Sequence, residues 1–412
     1  MTPRWLWAWA ALLGGCNVTP QSVSGGANLP ERGDCPRGLA VVSSDYVSSE
    51  VALLHPSGKV ASSAFLSSAS TAASGLAAAF SGDIVVDAAP SRPGELAIVD
   101  RFGTNVITFV DSRTAVVRAQ LPVGTGFEAN AQSYFEVDER SAFVPRLGQN
   151  AAAGREPFDA GSDLLVIDPS VPAVVGSVPL PRRDGYLPAP AGVARVGTDL
   201  LVTLQHARPD FSGMDEGELV GVSTLDHSLR YRVALRGLKN CGSAELSPNR
   251  KLLAVACEGY IDRKGAAVEP ETSGLVLLDP EQEPPAELRR FSAVELFAGP
   301  IQASVELVTD ELVLLKTQTA QGSSQDNRLF SLNLDSGETK LLASAARDAS
   351  GSGFGIAFGG MSCASGCGDP CFVADMSRGQ LLRFSLRAGA LEPDEPVLIG
   401  GAGLPPTGLT AF

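Results

Sequence analysis

SAELSPNRKLLAVAC (Ser243–Cys257), followed by GLVLLDP (Gly274–Pro280), carries the pattern that decides the fold. A short strand, Ser243–Ser247, runs into a Pro-Asn-Arg turn. An apolar strand, Leu252–Cys257, comes next. A third, Gly274–Leu278, stops at an aspartate, and a fourth, Leu288–Phe291, completes the unit. Short strands punctuated by Gly, Pro, Asn and Asp predict antiparallel β-structure.

The unit recurs in both directions. Its apolar second strand has counterparts at Leu39–Val42, Leu96–Val99, Ala142–Val144, Leu200–Leu204, Leu312–Leu315 and Phe372–Ala374. The turn after the third strand carries Asp111, Asp168, Asp226, Asp279 and Asp335, with His55 in the same place earlier. From His55 the steps are 56, 57, 58, 53 and 56 residues, and about 52 more reach Arg387. Asn130 to Arg140 keeps the spacing of Asn240 to Arg250, and Ser304-Val-Glu-Leu307 repeats Ser243-Ala-Glu-Leu246. Four strands per unit, seven times over, predict an all-β, seven-bladed β-propeller. A β-sandwich does not explain so long a period. The first unit starts at its second strand, and Thr407–Phe412 resembles a first strand such as Gly355–Phe358. The C-terminal strand is therefore expected to complete the N-terminal blade and close the ring, which removes an exposed edge.

No Trp-Asp dipeptide occurs, so the repeats are not WD40 repeats. LSPNRKLLAVA (Leu246–Ala256) and LLVIDP (Leu164–Pro169) resemble the repeats of YVTN-type, lactonase-like propellers, of which YncE-like proteins are examples. That resemblance implies the propeller fold over most of residues 37–412.

The N-terminus resembles that of a bacterial lipoprotein. Arg4 precedes nine residues, Trp5–Leu13, without a polar side chain. That run is too short to span a hydrocarbon core, which needs roughly 20 residues, and it suits a signal peptide. Leu13-Gly14-Gly15-Cys16 follows as a lipobox. The resemblance implies a signal peptide at 1–15, lipidation (palmitate among the acyl groups) at Cys16, and a flexible tether at 16–36 rich in Gly, Pro and Ser. Asn17 stands where an aspartate would mark inner-membrane retention, which implies the outer membrane. All three tryptophans precede Cys16, so the mature chain is expected to contain none.

The 412 residues carry a formal net charge of −14 and only 19% charged residues. An acidic chain with thinly spread Lys and Arg is a poor candidate for nucleic acid or for electrostatic adhesion to anionic lipid. After Cys16 six cysteines remain: Cys35, Cys241, Cys257, Cys363, Cys367 and Cys371. An even number in an exported chain favours disulfides. Cys241 and Cys257 flank the Pro248–Arg250 turn symmetrically and are expected to bridge. Cys35 is expected to join one of the three in the seventh unit, leaving the other two to pair. A four-thiolate zinc site is the rival, though zinc prefers tighter spacing.

No catalytic residue, metal site or cofactor is assigned. The three histidines, His55, His206 and His227, make no pair or triad by spacing, and Gly351-Ser352-Gly353 lacks the flanks of a nucleophile elbow. The turn aspartates read as Asx turns rather than calcium ligands. Loops between second and third strands are long in units three to six: Gly148–Gly161, Ala207–Glu216, Gly259–Ser273 and Thr319–Asn327. They carry Glu156, Asp159, Asp210, Asp215, Glu216, Asp262, Glu269, Glu271 and Asp326, which make them candidates for a binding face. Neutral insertion on a tolerant surface is the alternative. The expected function is a membrane-tethered, non-catalytic binding or scaffold propeller of the cell envelope. Its partner would be another envelope protein or polymer, met on the face away from the anchor. A lactonase-like hydrolase using carboxylates at the central channel is the competing expectation.

Overall fold

The apolar second and third strands of each unit form the buried middle of a blade. In the computed structural model, which describes residues 29, 35–70, 75–262, 267–318, 326–346, 356–364, 367–368, 370–400 and 403–412, seven four-stranded antiparallel sheets account for nearly all regular structure. The signal peptide, Cys16, most of the tether and the Gly351–Gly353 run lie outside the described residues. In the fifth blade the strands are Cys241–Leu246, Leu253–Cys257, Gly274–Asp279 and Ala286–Ser292, within two residues or so of their expected limits. Strand alternation sends successive side chains to opposite neighbours. Leu253, Val255 and Cys257 pack with Leu201 and Leu219 of the fourth blade, whereas Ala254 and Ala256 pack with Val313 and Leu315 of the sixth. Each blade is thus buried on both faces, as near-continuous apolar strands require.

Ring closure is as expected. Pro406–Ala411 pairs antiparallel with Leu39–Ser44, from Leu39 opposite Ala411 to Ser43 opposite Pro406, and becomes the inner strand of the first blade. Arg37 and Gly38 donate backbone hydrogen bonds to the Phe412 carbonyl, which fixes the two ends of the ring together.

The innermost strands leave one edge of N–H groups without a strand partner, and such groups need acceptors. Side chains of the preceding blade supply them. Ser243 accepts from Val305 N at 2.9 Å and Glu245 from Leu307 N at 2.9 Å. Glu306 accepts from Cys363 N, Ser362 from Ala411 N, and Asp87 from Tyr134 N. The glutamate of the repeated Ser-x-Glu-Leu is therefore an inter-blade clasp in both units, joined by the serine only at Ser243, because the buried Ser304 Oγ has no hydrogen-bond partner. Where the clasp residue is glycine the backbones close up. A Cβ on Gly192 would lie 2.2 Å from the Gly242 carbonyl oxygen, and one on Gly360 2.5 Å from Leu409 N.

The turn positions need a correction. The residue that ends the third strand and accepts the turn's N–H groups is Asp111, Asp168 or Asp279 in blades two, three and five, but Ser223 in blade four and Asn333 in blade six. Asp226 and Asp335 lie two or three residues further into their turns. A short side chain with an acceptor oxygen suffices there, so serine and asparagine do the work of aspartate. From His55 the steps become 56, 57, 55, 56, 54 and 54 residues, more even than the aspartates suggested.

Candidate binding face

Second-to-third-strand loops and inter-blade connections share one face of the ring. First-to-second and third-to-fourth turns share the other. Cys35–Cys367 and Cys363–Cys371 are bridged on the latter face, where the chain enters the propeller. Cys241–Cys257 is bridged at the loop face, across the first two strands of the fifth blade. All six cysteines are thereby paired as disulfides, not as a zinc site.

The long loops of blades three, four and five are fastened from below, and residues 319–325 of the blade-six loop lie outside the described residues. In blade three Arg146 is fully buried, and all five of its N–H groups are used. Nε and Nη2 each donate to Asp163 at 2.7 Å, Nη1 to Val123 O and Thr125 Oγ1, and Nη2 also to Phe158 O at 2.7 Å. Its guanidinium thus holds both the 150–160 loop and the connection from blade two. In blade four Glu218 accepts from His206 Nε2 at 3.0 Å and from Arg232 Nε and Nη2 at 2.7 and 2.8 Å. Burial alone raises the Glu218 carboxyl, but the hydrogen bonds from His206 and Arg232 outweigh it and hold it at about 2. In blade five the expected loop contains a small hairpin, Tyr260–Ile261 with Ala267–Glu269, and the Tyr260 hydroxyl donates to Ser212 O of the fourth-blade loop at 2.6 Å.

These fastenings do not leave the nine acidic residues as one open cluster. Asp159 folds back on its own loop and accepts from the N–H groups of Gly154, Arg155 and Glu156, which hold its carboxyl below the usual range. Asp215 pairs with Arg183 at 3.0 Å and Glu269 with Lys239 at 2.6 Å. Glu216 accepts from Gly237 N, Asp210 from Ser212 N, and Asp326 from Ser344 Oγ. Asp262 is half-buried, while Glu156 and Glu271 are exposed. Among the described residues no three His, Cys, Asp or Glu side chains are grouped to hold a metal ion.

Along the axis, Glu245 and Glu306 come close enough to disfavour each other's charge. Burial raises both, and for Glu306 the neighbouring Glu245 raises it further. Lys316 of the sixth blade is pushed down to about 7 by burial, against the opposing pull of Glu306, and donates to Gly359 O.

The acidic residues gave no hint of a second feature of the loop face. In four consecutive blades the second-to-third-strand loop exposes an aromatic ring: Tyr46 (38% exposed), Phe102 (61%), Phe158 (39%) and Phe211 (36%). In blade five the Tyr260 hairpin adds the exposed Val268. Tyr46, Phe158 and Phe211 have left-handed backbones, with φ of 65°, 58° and 56°. That conformation is costly for a bulky residue and persists only where its surroundings enforce it. Placing the loops of successive repeats one above the other in the sequence would have found the series.

No protein-family model and no curated protein matches the chain. Solved structures do match, over nearly the whole length. A "putative 6-phosphogluconolactonase" of Bacteroides uniformis shares 11% identity, with 91% of this chain and 99% of that chain covered and a TM-score of 0.55. A Lactobacillus plantarum protein gives 10%, 91%, 99% and 0.57. A hypothetical selenium-binding protein of Sulfolobus tokodaii gives 10%, 92%, 94% and 0.58. The fold is a seven-bladed β-propeller. At such identities the likeness extends to the fold alone, since propellers host unrelated functions.

Proposed function

We propose that the protein is a lipid-anchored binding propeller of the cell envelope, tethered through Cys16, that meets another envelope component on its long-loop face. The observation that carries this reading is the division of labour between the two faces. Disulfides fasten the face where the chain enters, next to the tether. The opposite face bears long loops, and those of blades three, four and five are held by a buried arginine, a buried carboxylate and a disulfide. Loops held in one conformation lose little freedom on binding, which favours affinity. A tether of about 20 residues reaches roughly 25 Å, enough to keep the fastened face towards the membrane and the loops away from it.

The channel carboxylates support the same reading. Glu245 and Glu306 each accept a backbone N–H of the next blade, a structural task that needs no substrate.

Three measurements test the proposal. Mass spectrometry of the mature protein is expected to find a diacylglyceryl group on an N-terminal Cys16 and no tryptophan. An unmodified N-terminus elsewhere would remove the anchor. On intact membranes, protease is expected to cut at 207–216 and 259–273 before 359–370, and the reverse order would invert the orientation. Hydrolysis of 6-phosphogluconolactone at an enzymatic rate, lost in Glu306→Gln, would replace binding by catalysis.

A further inference from the structure

On the face where the chain enters, the third-to-fourth-strand turns differ from blade to blade. Three consecutive ones lift an aliphatic side chain clear of the surface: Val116 in blade two (60% exposed), Val171 in blade three (64%) and Leu225 in blade four (80%). Val175 and Leu229, near the start of the outer strands that follow, are exposed beside them. In blades five and six the same turn carries Glu281 with Glu283, and Asp335 with Glu338.

The five residues form an arc rather than scattered points. Arg118 Nη1 reaches Pro169 O of the next turn at 3.5 Å, which ties the turns of blades two and three together. A surface cavity between blades three and four is lined by Val175 and Leu225 together. The arc begins where the chain enters: Pro93 lines one cavity with Val116 and the adjoining one with Cys35 and Phe412. A continuous exposed apolar patch marks a contact site.

Charge does not select the occupant. Asp111 pairs with Arg113 at 3.1 Å, Asp168 stands by Arg140 and Asp226 by Arg230. Arg92, Asp138 and Glu139 are exposed as well, so four arginines stand against five carboxylates. Side-chain type and the tether make the selection. Leucine and valine are under-represented among the residues that anchor protein interfaces, whereas lipid asks only for apolar area. The tether holds this face within roughly 25 Å of a bilayer. Contact with lipid is then an intramolecular event, which a few side chains suffice to drive.

We infer that Val116, Val171 and Leu225 dock the ring on the bilayer that holds its anchor, their aliphatic side chains entering the boundary between headgroups and acyl chains. Neutral lipid suffices as the partner. The ring then rests on blades two to four, with the acidic turns of blades five and six raised. The inference rests on the anchor at Cys16 and on the entry face being turned to the membrane.

No tryptophan follows Cys16, so a single introduced one reports its own surroundings. Val116→Trp, Val171→Trp, Leu225→Trp and, on the loop face, Phe211→Trp are made in the lipidated protein. Each is placed on phosphatidylcholine–phosphatidylethanolamine vesicles with and without bromine on the acyl chains. Emission from positions 116, 171 and 225 is expected to shift to the blue and to be quenched roughly two-fold by brominated lipid, at low and high salt alike. Position 211 is expected to stay unquenched. Adding Val171→Asp and Leu225→Asp to Val116→Trp should weaken docking roughly ten-fold or more, read as loss of the quenching. Thermal melts of the variants exclude loss of the fold.

Equal quenching at position 211 overturns the inference, as does undiminished quenching in the double aspartate variant. A blue shift without quenching, with a dimer by light scattering, assigns the arc to a second copy and overturns it too. Flotation with the vesicles reads the anchor separately. A protein that floats without quenching overturns the docking and leaves the anchor standing. One that fails to float, yet is quenched by excess vesicles, overturns the anchor and keeps the docking. Neither flotation nor quenching overturns both.

Discussion

The two faces of the ring solve one problem by different means. Where the chain enters, most turns are short and hydrogen-bonded within themselves, and two disulfides add covalent ties at the chain entry and in blade seven: Cys35–Cys367 spans 332 residues and Cys363–Cys371 spans 8. Across the ring the loops are long, and buried polar groups hold most of them, as Arg146 with Asp163 and Arg232 with Glu218 do. The contrast has a physical reason. A short turn satisfies its own backbone groups. A long loop brings carbonyls and N–H groups inward that need partners, and a buried guanidinium with five donors supplies many at once.

The largest effect expected from breaking this comparison lies on the face with two bridges. Replacing Cys35 and Cys367 together by serine releases a loop of 332 residues. Replacing Cys363 and Cys371 releases one of 8. Chain entropy makes the first change about 3 kcal/mol more costly than the second, which the difference in urea midpoints checks. Equal losses would show that strand pairing between Leu39–Ser44 and Pro406–Ala411 closes the ring unaided.

On the loop face, Arg146→Leu leaves Asp163 buried without its partner. The expected loss is about 3–5 kcal/mol, again read from denaturant unfolding. The double change Arg146→Leu with Asp163→Leu should recover most of it, because two apolar side chains leave no buried charge. A double variant as weak as the single one would mean that the hydrogen bonds to Val123 and Phe158, not the ion pair, hold the loop.

Acidity distinguishes the faces next. Beside the Cys241–Cys257 bridge, burial raises Glu258 to about 7, against a hydrogen bond from Asn240. Its folded pKa lies above its unfolded value, so its contribution to stability is complete below about pH 4.5. That contribution is lost as pH rises through about 7. Glu258 is expected to contribute on the order of 2–3 kcal/mol to the fall in stability across this window. Glu258→Gln is expected to make the fall shallower by that share, leaving the part due to Asp87, Glu245 and Glu306, which burial also raises. Thermal melts at successive pH values measure it.

The smallest effect concerns a single turn on the short-turn face. Asn333 accepts from the N–H groups of Asp335 and Ser336. Asn333→Ala should cost about 1 kcal/mol and Asp335→Ala little. The opposite order would restore the aspartate to the position that its spacing suggested.

Much of the ring is legible in the amino-acid sequence. Apolar runs such as Leu96–Val99 and Leu253–Cys257 announce the second strands, and the unmatched first strand of the first unit announces the closure by Pro406–Ala411. The Cys241–Cys257 pair follows from symmetry about one turn. The loop face is less legible. Its acidic residues are visible as composition, but pairing with Arg183 and Lys239, or folding back as Asp159 does, depends on how each loop is finally packed.

The sequence alone determined the repeat, the number of blades and the way the ring closes, because strand period and turn chemistry are local and recur at an even step. Tertiary structure alone decided which carboxylates remain open to solvent, which cysteine Cys35 meets, and that four aromatic rings share a face. Those outcomes depend on which loops the closed ring brings together, and side chains from different blades meet only once the ring has closed.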